Sequence, residues 1–131
     1  MMTFEKFMMD FILYDLKCTL IDDKMDLRTV FHYANGCGAK NGIKVPPTIW
    51  FANIEAACII HDIEWQLSKN YNDLVFANEN FDDNLKIICD KESNSFTSWF
   101  RRMRIAKYVS AVELIGTANY ADERGFDVID F

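Results

Sequence analysis

The sequence predicts an all-α fold: two antiparallel core helices, a glycine-rich loop ahead of them, and flanking helices toward the N- and C-terminal ends. Three observations carry this reading. Apolar residues recur at intervals of three and four along most of the chain, three of the five glycines and both prolines collect in one stretch, and a short connection joins the two most strongly patterned segments. With 131 residues, half of them apolar and eleven of them Phe, the chain has the size and composition to bury a core as one domain over residues 1–131.

The first helix is expected over residues 3–20, where Phe4, Phe7, Met8, Phe11 and Tyr14 or Asp15 fall on one face. Core packing is the simplest use of that stripe. The polar "IDDKMDLRTV" that follows reads as a connection or a short helical turn. Next comes "YANGCGAKNGIKVPP", Tyr33 to Pro47, whose glycines and prolines make it a structured loop. Thr48 is the candidate N-cap of a helix running to about Lys69, with Phe51, Ile54, Cys58, His61 and Trp65 on its apolar face. "KNYND" supplies the turn into another helix, faced by Tyr71, Leu74, Val75, Asn78, Phe81, Leu85 and Ile88.

So short a turn makes these two helices antiparallel neighbours, and residues equally far from it share a height. Pairs whose numbers sum to about 139 then oppose each other: Trp65 with Leu74, Cys58 with Phe81, Ile54 with Leu85, Phe51 with Ile88, and His61 with Asn78. The polar residue on each apolar stripe faces the other. A buried imidazole needs partners for its ring nitrogens, and an amide supplies one, so a hydrogen bond that merely fixes helix register is one complete reading of the pair. Asp62, about 100° further round the helix, lies at the edge of the seam.

A last helix is expected from Phe96 to about Asn119. Its opening "FTSWFRRMRIAK" mixes aromatics with Arg101, Arg102, Arg104 and Lys107. Such a mixture is either a solvated basic side or a patch for anionic headgroups. The tail "ADERGFDVIDF" carries no recognisable chemistry, and there is no internal repeat.

The net charge of −6 argues against nucleic acid as a general partner, because neutralising phosphates takes a basic surface. Asp10 and Asp15 interrupt the apolar N-terminal stretch, which lacks a basic leader and a cleavage site, and no run reaches the roughly 20 apolar residues of a membrane span. The expectation is a soluble or peripheral protein, cytoplasmic or virion-associated rather than exported through a signal peptide. Four widely spaced cysteines, Cys18, Cys37, Cys58 and Cys89, contain no CxxC pair. They read as reduced core thiols or as bridge partners, according to the redox compartment.

Three passages in order carry a resemblance: "NGCGAKNGIKVPP", then "CIIHD" on a helix, then "ANENFDDNL" on the antiparallel partner. Together they resemble the phospholipase A2 superfamily, in particular its compact bacterial and viral members, over roughly residues 33 to 90. The resemblance implies a carboxylic ester hydrolase acting on glycerophospholipids at a membrane surface with calcium as cofactor. His61 would be the general base that takes a proton from water, and Asn78 the residue that orients it. Asp62 would be a calcium ligand, with the backbone of Gly36, Gly38, Asn41 and Gly42 completing the cage. The resemblance also implies a bridge between Cys37 and Cys58 in an oxidising compartment, and proximity without a bond in a reducing one.

The chain departs from the family pattern twice. The facing helix has Asn78 where the family has an aspartate, and Trp65 stands where the family favours tyrosine. Glu79, the next residue along, substitutes for Asn78 only if the register shifts by one. The departures motivate a second reading: a catalytically weak or inactive domain of this fold, serving as a structural or partner-binding module, as in a viral particle, and engaging a protein partner or further copies of itself. A third is a zinc site drawn from Cys37, Cys58, His61 and Cys89, whose thiolate and imidazole ligands suit that metal, although Cys89 sits two to three turns from the height of His61.

Overall fold

The computed structural model describes residues 2–22, 24–32, 34, 47–49, 52–92, 100–107 and 109–110. The glycine-rich loop of 35–46 and the tail of 111–131 lie outside the described residues. Those described are mostly helical, in the order α1 (Phe4–Leu13), α2 (Leu27–His32), β1 (Thr48–Ile49), β2 (Ala52–Asn53), α3 (Glu55–Leu67) and α4 (Tyr71–Lys91). Residues 100–107 and 109–110 are helical as well, within the span expected for the last helix. Among the described residues, no helix is long and apolar enough to cross a membrane.

α1 starts where Thr3 Oγ1 accepts from the Lys6 amide at 3.2 Å. It stops well short of residue 20. The amide of Asp15 reaches Ile12 O at 3.2 Å and that of Leu16 reaches Phe11 O at 3.1 Å, the paired bonds of a Schellman ending, with Asp15 at φ 52° in the left-handed position. Apolar spacing continues past that point, but a reversed backbone cannot carry a helix onward. Glycine takes this conformation without the Cβ penalty, so Asp15→Gly should raise stability by about 0.5–1 kcal/mol. Urea unfolding measures the shift, and a fall in midpoint would contradict it.

The candidate cap Thr48 is a second correction. It lies in β1 and pairs with Asn53, while Ile49 pairs with Ala52, in a small antiparallel hairpin. α3 begins only at Glu55, whose amide donates to Asn53 Oδ1 at 2.9 Å. Two β-branched residues after paired prolines favour extended backbone, and the asparagine supplies the local acceptor that turns the chain into the helix. Phe51, expected to face Ile88, lies outside the described residues.

α3 is the centre of the molecule. Ala56 through His61 are buried, as are Ile63 and Glu64, because α1, α2 and α4 all pack against this helix. α4 is capped by Asn70, whose Oδ1 accepts from the Asp73 amide at 2.9 Å, and Asp73 Oδ2 accepts from the Lys69 amide at 3.0 Å. Its buried face is Leu74, Ala77, Phe81, Asn84, Leu85, Ile88 and Cys89. Tyr71, expected on that stripe, is exposed. An aromatic cluster secures α1 and α2 to the core, with Phe7 stacked on Phe31 at 5.4 Å and Phe4 edge-on to Phe31 at 5.4 Å.

Buried polar groups fasten the segment after α1. Asn84 is fully buried; its Oδ1 accepts from the Lys17 amide at 2.6 Å and its Nδ2 donates to Lys17 O at 2.9 Å. Glu64, also fully buried, accepts at Oε2 from the amides of Thr19 and Leu20 at 2.8 and 2.6 Å. Asn80 Nδ2 joins the network by donating to Thr19 Oγ1 at 2.8 Å and to Glu64 Oε1 at 3.0 Å. A non-helical stretch of backbone is thereby held on two helices through the Lys17 amide and carbonyl and the amides of Thr19 and Leu20.

Candidate active site

α3 and α4 bring His61 and Asn78 together. His61 Nε2 lies 2.7 Å from Asn78 Oδ1, at the height that counting from the turn predicts. The same oxygen accepts from Trp65 Nε1 at 3.0 Å. Trp65 sits one turn after His61 on α3, so one amide oxygen serves two rings of the same helix face. The His61 ring is packed 4.6 Å from Phe81 and 5.2 Å from Trp65, centroid to centroid. Glu79 is exposed, which leaves the register at Asn78.

The hydrogen-bond chemistry fixes the protons. An indole N–H only donates, so the Asn78 atom it meets is the oxygen. That oxygen only accepts, so His61 Nε2 carries a proton. Burial lowers the His61 pKa from the ordinary 6.5 to about 4, against the smaller opposing effect of the Asn78 hydrogen bond. At neutral pH the ring is therefore uncharged, with its lone pair on Nδ1. Such a ring can take a proton from water, and its low pKa makes it a weak base.

Asp62 adjoins His61 on α3 and is half-buried. Its carboxylate is the hard oxygen donor that calcium takes. Gly36, Gly38, Asn41 and Gly42, the other expected calcium ligands, lie outside the described residues, as does Cys37. Cys58, one turn before His61, is disulfide-bonded, whereas Cys18 and Cys89 are reduced thiols. A bridged sulfur supplies no thiolate, which removes Cys58 from the zinc reading. Among the described residues, no group of three or more His, Cys, Asp or Glu side chains is placed to hold a metal ion. Calcium held by one carboxylate and backbone carbonyls would not form such a group.

Glu64 and Asn84 are fully buried polar residues that the apolar spacing does not single out. Glu64 lies between Ile63 and Trp65 on α3, and Asn84 follows Asp82 and Asp83 and precedes Leu85 on α4. The available signal is helical spacing, which sets Glu64 three residues after His61 and Asn84 three after Phe81 on the buried faces; what they bond, the backbone of residues 17–20, is far away in sequence.

In comparisons with protein-family models, curated proteins and solved structures, nothing matches this chain.

Proposed function

We propose that the chain is a calcium-dependent, phospholipase A2-like esterase acting on glycerophospholipids at a membrane surface. The observation that carries the reading is a buried, neutral His61, held through Nε2 by a side chain of the antiparallel helix and followed directly by a carboxylate. In this mechanism Nδ1 of His61 accepts a proton as water attacks the ester carbonyl carbon. The new C–O bond forms a tetrahedral intermediate. Its collapse breaks the bond to the glycerol oxygen, and the proton on Nδ1 passes to that leaving alkoxide, giving a fatty acid and a lysophospholipid. Asp62 would hold calcium together with Gly36, Gly38, Asn41 and Gly42; bound there, the ion supplies positive charge to the developing oxyanion. Met9, Ile12 and Leu13 are exposed on α1, and an apolar helix face of this kind supports contact with lipid.

The test is fatty-acid release from glycerophospholipid vesicles, with a calcium titration followed by tryptophan fluorescence on the same sample. Hydrolysis should require calcium and fall at least about 100-fold in His61→Gln and in Asp62→Asn. Equal hydrolysis in both variants would overturn the reading.

One observation favours a second reading. Asn78 brings no charge to stabilise an imidazolium, and the lowered pKa of His61 follows from burial without a carboxylate to oppose it. A domain of this kind without turnover would serve as a partner-binding or structural module. Calcium binding that requires Asp62, with no hydrolysis at any calcium concentration, is the result that selects it.

A further inference from the structure

We infer that Trp65 is a positioning residue for His61: its indole N–H fixes which end of the Asn78 amide faces the imidazole, and thereby sets which ring nitrogen carries the lone pair. The importance of that lone pair for catalysis rests on the esterase reading; the orientation itself does not.

A carboxylate at position 78 would present an oxygen to the ring whichever way it turned. An amide has one accepting end and one donating end of nearly the same shape. If the Asn78 NH2 faced His61, Nε2 would have to accept, the proton would move to Nδ1, and the atom meant to take a proton from water would already hold one. Something must choose between the two orientations. Trp65 Nε1 approaches Asn78 Oδ1 at 3.0 Å while His61 Nε2 approaches the same atom at 2.7 Å. Turning the amide would set two N–H donors against each other at Trp65, at a part-buried contact beside the His61 ring. A tyrosine hydroxyl at position 65 could donate or accept, and so would tolerate either end of the amide. Indole cannot. The two departures from the phospholipase pattern are thus complementary: a donor-only ring opposite an amide that needs a fixed orientation.

Nitrogen-15 spectra of the histidine rings at pH 8 test this without any turnover. The chain has two histidines, and a His32→Gln background leaves the signal of His61 alone. The wild-type ring should be the Nε2–H tautomer by at least tenfold. Trp65→Phe should bring in the Nδ1–H tautomer as a substantial second population. Adding Asn78→Asp to Trp65→Phe should restore a single Nε2–H tautomer, because either carboxylate oxygen accepts; a merely structural role for the indole, which the phenyl ring keeps, predicts no change of tautomer in Trp65→Phe itself. An Nδ1–H ring in the wild-type protein overturns the inference and needs no variant to fold. So does a Trp65→Phe spectrum identical to wild type. A fixed Nε2–H tautomer in a protein that hydrolyses no lipid rejects the esterase reading and leaves the role of Trp65 intact. Hydrolysis by a protein whose wild-type ring is Nδ1–H does the reverse.

Discussion

Replacing Glu64 by leucine should lower the unfolding free energy by about 3 kcal/mol. The side chain is fully buried on α3 and accepts from the amides of Thr19 and Leu20 and from Asn80 Nδ2. Leucine fills most of the volume but accepts nothing. Three donors at part-buried positions would then lose their acceptor, each at a desolvation penalty of up to about 1–3 kcal/mol, with relief where water reaches the segment after α1. Glu64→Gln keeps one accepting oxygen and should cost less than the leucine change. Urea unfolding of both variants measures the series. A loss below about 0.5 kcal/mol for leucine would show that the network adds no net stability.

The second large effect is a dependence of stability on pH that belongs to His61. Its pKa is about 4 in the folded protein against an ordinary 6.5, burial being the main cause. The unfolded chain therefore takes up a proton on this ring at a higher pH than the folded chain does. Stability contributed by the neutral ring is complete above about pH 6.5, falls as the pH drops from there, and is exhausted near pH 4. The span corresponds to about 3 kcal/mol. Comparing wild type with His61→Gln across that window isolates the ring, because the carboxylates are common to both proteins. Parallel curves would refute the assignment. Asn78→Asp should raise the His61 pKa and shrink the loss, since a negative charge would then stand against Nε2.

Counting from a short turn was enough to place His61 opposite Asn78, because two helices joined by a tight connection have one degree of freedom left, their register, and a matched pair of polar residues specifies it. The same counting treated each helix as a single stripe and overlooked Glu64 and Asn84. Their partners lie on non-helical backbone 44 to 67 residues away, and periodicity reports nothing about such a distance. Helix ends escape the apolar pattern for a different reason. The apolar spacing that predicts α1 runs on past Asp15, and Thr48, the cap expected for the helix that became α3, lies in the pairing of Thr48–Ile49 with Ala52–Asn53. Local hydrogen bonds, not apolar pattern, decide where a helix stops.

The sequence by itself determined the mostly helical class, the antiparallel pairing of α3 with α4, and the meeting of His61 with Asn78, since these follow from residue spacing and one short turn. Tertiary structure decided the protonation chemistry. Burial made His61 a neutral ring of low basicity, and the convergence of Trp65 Nε1 on the same Asn78 oxygen oriented the amide and with it the imidazole. Both depend on how tightly separate side chains close around one atom, a property of packing in three dimensions that no one-dimensional pattern encodes.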